Sequence, residues 1–349
     1  MNSPPMSTEL LVEPSRLTPV QRAVTGVVRS REAAVAAVLV VLVVVTTLKS
    51  SSFVLSHDGW RDLLLSPSLL LLLAIGEMVV IVTRNVDLSV GSVLGLSAYA
   101  TGRLFIDHPG IPIVAVFVIG LLFGAVLGCV NGILVTAFRV PALVITLGTM
   151  YIYRGILVHW AGSKQIYAYN LPESFQNLGT QQFLTIPVLT ILGFIVLGLV
   201  GYYLRTARGG RELYAIGSDP DAAVLYGLPV QRRVFGAFVL CGSLAGLAGV
   251  VQAARYSTAT SATGQGLELQ AIAAVVIGGV AIFGGSGSVY GAAIGAFLLV
   301  TINAALPILG IPEFWQNAVV GALILSSISL DRILALRRAH KLIESRDES

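Results

Sequence analysis

Charged side chains are scarce in this 349-residue chain, in which Asp, Glu, Lys and Arg together make up 11% of the residues. A soluble domain typically carries about 25%. Hydrophobic residues reach 55% and the mean hydropathy is +0.85, so an ordinary soluble enzyme or binding module is excluded. Apolar stretches of about 17 to 25 residues recur, each long enough to cross a bilayer as a helix. We therefore predict an all-α, polytopic membrane protein.

Residues that build catalytic and metal sites are also few. The chain has two cysteines and four histidines, and neither type shows the spacing of metal ligands. The glycine-rich turn GGSGS at 284–288 lacks the lysine that a phosphate-binding P-loop requires. No catalytic constellation is evident in the sequence. We therefore predict that the protein is not an enzyme and that this chain itself binds no cofactor and no metal.

Ten apolar stretches are candidate membrane spans. They are 32–48, 67–82, 88–105, 111–137, 141–160, 183–204, 234–255, 269–283, 288–309 and 315–334. This assignment gives an N-terminal tail (1–31), a transmembrane domain (32–334) and a C-terminal tail (335–349). With the N-terminus inside, 16 of the 22 Lys and Arg residues lie on the cytoplasmic side and 6 outside, as the positive-inside rule requires. Both tails and the loop 205–233 are thus predicted to be cytoplasmic.

The loop 205–233 is a basic island with five arginines between two apolar stretches. Two helix starts fit inside it: Ser218 and Asp221 have the spacing of a capping box, or Asp219 caps a helix that begins at Pro220. A helix of about two turns is not stable alone in water and needs a surface to dock on. An ordinary capped turn and a docking element for another protein both fit this loop. The candidate docking residues are Ser218, Asp219, Pro220, Asp221, Ala222, Ala223, Leu225 and Gly227.

Polar residues interrupt the apolar stretches at several positions. The motif TRNVDLSVGS at 83–92 places polar groups between two helices, where transporters build sites and gates, although helix capping by Asp87 or Ser89 also explains part of it. Glu77 lies inside an apolar span and must face the bundle interior or a wet cavity, either for function or for a structural hydrogen bond. The candidate residues of a translocation path or gate are Glu77, Asn85, Asp87, Ser89, Asn131, Glu268 and Gln270.

Two segments of the chain are weakly alike. AIGEMVVIVTRNVDLSVGSVLG begins at Ala74, and AIAAVVIGGVAIFGGSGSVYG begins at Ala271. The ten spans give both segments the same orientation, whereas an inverted repeat requires opposite orientations. The likeness is therefore due to chance, to a repeat that is not inverted, or to an inverted repeat in which one stretch is a re-entrant half-helix.

Together these motifs resemble the permease subunits of carbohydrate-importing ATP-binding-cassette transporters, the ribose, arabinose, rhamnose and autoinducer-2 group. The stretches that carry the resemblance are TRNVDLSVGS at 83–92, VPALVITLGTMYIYRG at 140–155, GRELYAIGSDPDAAVLYGLPV at 210–230, GQGLELQAIAAVVIGGVAIFGGSGSVYG at 264–291, and 318–332. The TRN start, Trp160 after the YRG motif and the GQGLEL run look closer to the rhamnose and autoinducer-2 branch. Two departures concern substrate, because many of these permeases have an acidic residue at Gln270 and a neutral one at Glu77.

The resemblance implies a permease in the bacterial inner membrane that imports a monosaccharide, either rhamnose-like or autoinducer-2-like or a pentose. It implies three partners: an ATPase subunit that holds ATP and Mg²⁺, a second identical or similar permease, and an extracytoplasmic sugar-binding protein. The loop 205–233 is then the coupling element seated in a groove of the ATPase. The competing class is a secondary transporter, in which Glu77 or Asp87 binds a proton or a sodium ion and no ATPase is needed.

Overall fold

The computed structural model describes residues 31–138, 140–316, 318–323, 325–326 and 329. Helices make up nearly all of this part of the chain, which confirms the all-α prediction. The described residues hold one pair of strands, β1 (Gln182–Phe183) and β2 (Ile186–Pro187), which are antiparallel. The predicted tails 1–31 and 335–349 fall outside the described residues, apart from Arg31 at the start of the first helix.

Thirteen α-helices follow one another between residues 31 and 308. They are α1 (Arg31–Lys49), α2 (Ser52–Leu55), α3 (His57–Ile81), α4 (Val90–Asp107), α5 (Ile113–Phe138), α6 (Ala142–Ala161), α7 (Glu173–Gln176), α8 (Val188–Thr206), α9 (Arg208–Ser218), α10 (Pro220–Leu225), α11 (Val230–Tyr256), α12 (Leu267–Ile277) and α13 (Val289–Ile308). Short 3₁₀ turns lie at Ala168–Asn170, Asn177–Gly179 and Glu313–Trp315. Within the described residues, seven helices are long and apolar enough to cross a membrane: α1, α3, α5, α6, α8, α11 and α13.

The predicted spans differ from these helices at four points. The third, 88–105, corresponds to α4, which is not among the seven. The second span begins at His57 rather than Pro67, because Pro67 is accommodated inside α3. The eighth, 269–283, is wrong as a full span, since α12 has 11 residues. At 1.5 Å per residue it is about 16 Å long, roughly half of a hydrocarbon core of about 30 Å. Of the tenth, 315–334, the structure describes residues 315–316, 318–323, 325–326 and 329, which are helical from 316 onward.

The two similar segments form matching units of helix, break and helix. The first break (82–89) separates α3 from α4, and the second break (278–288) separates α12 from α13. The Gly285 N–H donates to the carbonyl oxygen of Val82 at 2.9 Å, so the two breaks lie side by side. Helices α3 and α12 therefore end on the same side of the molecule. The units run in the same direction, as in a repeat that is not inverted, and α12 is in addition a half-helix.

Glycines bring α5 and α11 into close contact at the centre of the fold. A Cβ on Gly124 would overlap the carbonyl oxygen of Gly242, and a Cβ on Gly246 would overlap that of Gly120. Small residues at such crossings let two backbones approach closely, and packing of this kind drives helix association in membranes. Helix α11 also packs against α3 and α4. It is therefore the element around which the described helices are arranged.

We expect Gly246→Leu to lower the yield of folded protein and its melting temperature. The leucine meets backbone rather than a flexible side chain, and overpacking of this kind costs about 1–3 kcal/mol or more. The matched control is Gly236→Leu on the same helix, where an added Cβ meets no atom within 4 Å. Thermal unfolding of the purified proteins in detergent compares the two, and equal melting temperatures would contradict the glycine contact.

Candidate coupling and gating site

The first break leads into a buried polar cluster that consists of Glu77, Asp87, Ser89 and Asn131. Each of these residues is at most 1% exposed. The backbone N–H and the hydroxyl of Ser89 donate to Oδ1 of Asp87 at 2.9 and 2.7 Å. The Asn131 amide donates to both Asp87 carboxyl oxygens at 3.3 Å and to Ser89 Oγ at 2.7 Å. The cluster thus joins α3, the first break and α5 through candidate path residues that are far apart in the sequence.

Glu77 is fully buried within the polar cluster. Its Oε1 accepts the backbone N–H of Asp87 at 3.0 Å, and the thiol of Cys241 on α11 lies 3.8 Å from Oε2. A buried carboxyl needs such donors, because an unpaired one is costly in an apolar environment. Cys241 is therefore more than the packing residue that the apolar sequence around it indicates.

Helix α6 adds polar contacts that the sequence did not predict. The Tyr153 hydroxyl donates to the Leu127 carbonyl at 3.0 Å and lies 3.4 Å from Oδ1 of Asn131. Thr146 Oγ1 donates to the carbonyl of Val86 in the first break at 3.1 Å. A lone Tyr or Thr in an apolar helix gives no signal that separates such a contact from ordinary packing. The motif at 140–155 contributes to the family resemblance, but the sequence does not indicate that Thr146 and Tyr153 make these hydrogen bonds.

Three candidate path residues lie outside the polar cluster. Asn85 stays within the first break, where its amide donates to the carbonyl and hydroxyl oxygens of Thr83 at 3.0 and 2.9 Å. Glu268 lies against Gly91 of α4, and its Oε2 is buried without a hydrogen-bond partner among the described residues. Gln270 lines a separate cavity near the start of α12, whereas the second break follows the end of that helix. The sequence analysis therefore grouped in one translocation path several residues that lie in different parts of the structure.

Helix α10 occupies the middle of the loop 205–233. Of the two predicted starts, the structure has the second: the Asp219 side chain accepts two backbone N–H groups of the first turn at 3.1 and 3.0 Å, and Pro220 is the first helical residue. Gly227 ends the helix with a φ of +73°, in the left-handed region. The two hydrogen bonds of this ending, 2.9 and 3.0 Å long, have the pattern of a Schellman motif. Both ends of this six-residue helix are thus fixed locally.

The last residues of α10 and its C-cap Tyr226 form an apolar and open surface, which we call the open apolar face of α10. Val224, Leu225 and Tyr226 are 62%, 87% and 86% exposed, whereas Ala223 is 3% exposed and packs against the rest of the chain. Ala223 therefore faces inward and does not belong to the outward surface of the helix. A short helix that presents large apolar side chains at its surface is typical of a site that another protein covers.

Arg84 ties the first break to the C-terminal end of α9. Its Nε donates to the Gly217 carbonyl at 2.6 Å, and its Nη2 donates to the Ser218 carbonyl at 2.5 Å. These carbonyls belong to the last turn of α9, which lacks partners within the helix and carries the negative end of its dipole. Arg84 has a φ of +66°, a left-handed conformation that costs a residue other than glycine about 1–3 kcal/mol. The break is therefore held in a strained form against α9.

Helix α9 is also tied to the second break. The Tyr214 hydroxyl donates to the carbonyl of Gly287 at 3.1 Å. Burial raises the pKa of Tyr214, so its phenol remains a neutral donor near pH 7. Because Gly285 joins the second break to Val82 in the first, α9 and the two breaks form one hydrogen-bonded unit. This unit, which we call the coupling unit, lies beside α10.

An ion-pair triad fixes α9 against the start of α11. Glu212 accepts from Nε of Arg233 at 2.5 Å and from Nε of Arg208 at 2.7 Å. Arg233, and then Arg208, lower the pKa of the Glu212 carboxyl. A carboxyl with a lowered pKa adds stability above its unfolded-state value of about 4.3, and this stability is lost as the pH falls through the lower folded value. The triad therefore persists at neutral pH and weakens only in acid.

Comparison with known proteins gives consistent results. Residues 61–328 match a family described as branched-chain amino acid transport system / permease component. The autoinducer 2 import system permease protein LsrC of Enterobacter sp. (strain 638) is 39% identical over 269 residues, which cover 76% of both chains. LsrC of Klebsiella pneumoniae is 39% identical over the same length, and LsrC of Escherichia coli K12 is 37% identical over 266 residues, 76% of this chain and 77% of its own. No solved structure matches the chain.

Proposed function

Because the chain belongs to the family of permease components of branched-chain amino acid transport systems, we propose that it forms the translocation path of an ATP-driven importer for autoinducer 2 or a similar small sugar. Membership of the family confirms three predictions from sequence: a permease subunit, transport rather than catalysis, and a place in the bacterial inner membrane. An importer of this kind works with an ATPase and a substrate-binding protein. ATP and Mg²⁺ then belong to the ATPase subunit.

The observation that carries the proposed coupling is the open apolar face of α10 beside the coupling unit. We infer that Val224, Leu225 and Tyr226 of this face seat in a groove of the ATPase subunit. Closure of the ATPases on ATP would displace α10, and α9 with it. Arg84 would pass this displacement to the first break, because its guanidinium holds the last turn of α9.

The polar cluster is the proposed gate. Asp87 and Ser89 belong to the first break, while Glu77 belongs to α3 and Asn131 to α5. A shift of the break exchanges the hydrogen bonds of the cluster and moves α3 relative to α5. A second permease, identical or similar, would complete the path between two such subunits. Transport in this scheme needs no chemical change in the sugar.

The names of the relatives support a sugar-like substrate rather than an amino acid. All three relatives described above are autoinducer 2 import permeases, although the family description names branched-chain amino acids. In the sequence, the GQGLEL run and Trp160 favour the same branch. We therefore place autoinducer 2 first, and rhamnose-like sugars and pentoses after it.

Uptake by cells tests the substrate. Cells that express the permease with its ATPase and its binding protein should accumulate labelled autoinducer 2 with saturable kinetics, and cells without the permease should not. Excess unlabelled L-rhamnose and D-ribose are compared as competitors. Accumulation of L-leucine in place of autoinducer 2 would contradict the proposal and return the function to the amino-acid class.

A further inference from the structure

A polar cavity of about 450 Å³ lies between α3, α11, α12 and α13. This size falls within the usual range of about 300–1,000 Å³ for small-molecule sites. Its polar lining residues are Ser66, Gln252, Arg255, Tyr256, Gln265, Gln270 and Asn303. The buried polar cluster is not part of this cavity. The cavity is therefore a second polar environment in the fold, and the proposed gate does not account for it.

The half-helix α12 explains why a cavity forms at this level. Ala274 and Gly278 contact Gly295 and Gly291, so α12 lies beside the first half of α13. The cavity is lined by the next part of α13, from Val300 to Ala304, and by the loop before α12. That loop must descend into the membrane to reach the start of a half-helix. Transporters commonly place their substrate sites where such a discontinuous helix begins.

The side chains around the cavity have free hydrogen-bonding capacity. Gln252, Gln265 and Gln270 make no side-chain hydrogen bonds in the part of the chain that the structure describes. Each amide offers a donor and an acceptor, the combination that pairs with sugar hydroxyls. Oδ1 of Asn303 is also buried without a partner among the described residues. The cavity wall thus has several polar groups that a ligand could satisfy.

Arg255 gives the cavity a fixed edge. Its Nη1 donates to the Leu65 carbonyl at 3.1 Å, its Nη2 donates to Ser66 Oγ at 2.7 Å, and its guanidinium lies 4.8 Å from the centre of the Tyr256 ring. None of the described residues that line the cavity is a carboxylate, so an ammonium group would have no oppositely charged partner among them. The lining therefore suits a neutral, polyhydroxylated ligand better than an amino acid.

We propose that this cavity is a sugar-binding site within the permease, in which the amides of Gln252, Gln265 and Gln270 hold a neutral monosaccharide on its way across the membrane. The proposal rests on the proposed function and deepens it, because it gives the permease its own selection for neutral polyols. The affinity of this site for the sugar is low, because a site within a translocation path must release the molecule that it binds. Selection would then act in addition to that of the binding protein.

Saturation-transfer difference NMR on the purified permease in nanodiscs tests this site without any partner protein. The probes are autoinducer 2, L-rhamnose, D-ribose and L-leucine at millimolar concentration. Wild-type protein should give a saturable signal for at least one sugar and none for L-leucine. The double variant Gln252→Leu and Gln270→Leu should weaken sugar binding at least tenfold. Gln181→Leu, which makes the same change at an exposed site outside the cavity, should bind like wild type.

A second variant separates loss of binding from loss of fold. Ala262→Trp lies in the loop at the cavity wall and fills the space without removing an amide, and it should also abolish the signal. Sugar signals that equal wild type in both variants would overturn the site. If the assembled transporter takes up sugar but the wild-type permease gives no signal, the site fails and the proposed function stands. Binding of L-leucine in place of the sugars would overturn the proposed function itself.

Discussion

We expect Leu225→Asp to abolish ATP-driven uptake while the membrane helices stay folded. Leu225 is 87% exposed on α10, so the substitution leaves the packing within the chain nearly unchanged. A buried apolar anchor at a protein interface typically contributes about 2 kcal/mol or more, and a charge at its centre also has to be desolvated. We therefore expect the affinity for the ATPase subunit to fall at least about 30-fold, because 1.4 kcal/mol corresponds to a factor of ten.

The matched control for Leu225→Asp is Leu184→Asp. Leu184 is 80% exposed in the hairpin between β1 and β2, just before α8 and at the opposite end of α8 from the basic loop 205–233. The two variants are compared by copurification of the ATPase with each tagged permease and by the thermal stability of each permease. An assembled, transport-competent Leu225→Asp complex would show that α10 is not the docking element. Ala223→Arg cannot serve as a further docking test, because Ala223 is buried and its replacement would change the fold.

We expect Arg84→Ala to uncouple ATP hydrolysis from transport without preventing assembly. The substitution removes both hydrogen bonds from the first break to the last turn of α9, but leaves the open face of α10 intact. Assembly and ATP hydrolysis should stay near wild type, and the number of sugar molecules moved per ATP should fall at least about tenfold. Arg84→Lys should give an intermediate loss, because a lysine keeps the charge but cannot present two donors in a fixed fork.

The matched control for Arg84→Ala is Arg205→Ala. Arg205 lies near the end of α8, at the start of the basic loop 205–233, and its exposed side chain makes no hydrogen bond in the described structure. Uptake and phosphate release are measured in the same proteoliposomes, so that their ratio is independent of protein yield. A wild-type ratio in Arg84→Ala would exclude this arginine from the path between α9 and the gate.

Local rules account for the parts of this structure that could be predicted from sequence. Long apolar runs predicted most of the membrane helices, because an apolar run of that length is stable in a bilayer only as a helix that satisfies its own backbone hydrogen bonds. The start and the end of α10 follow from Asp219, Pro220 and Gly227, because helix capping depends only on residues a few positions away in the sequence. Burial of Glu77 follows from the cost of exposing a carboxyl to lipid.

Features that depend on distant partners could not be predicted. Arg84 bonds to carbonyls more than a hundred residues away, and an arginine in a loop gives no sign of its partner. The half-helix α12 was missed because the sequence stays apolar from Ala271 to Phe283, through the break at Gly278. Hydropathy measures how apolar a segment is, and does not show where its helix ends. The inward position of Ala223 likewise depends on packing that only the fold supplies.

The central claim is that ATP hydrolysis on a partner drives import through this permease. Proteoliposomes that contain the permease, the ATPase and the binding protein are loaded with ATP or with a non-hydrolysable analogue, with and without an imposed proton gradient. The account predicts accumulation of autoinducer 2 only with ATP, at a rate that a protonophore leaves unchanged and that Glu77→Gln alters at most severalfold. Accumulation with the analogue, driven by the proton gradient alone and lost in Glu77→Gln, would contradict it and identify an ion-coupled carrier.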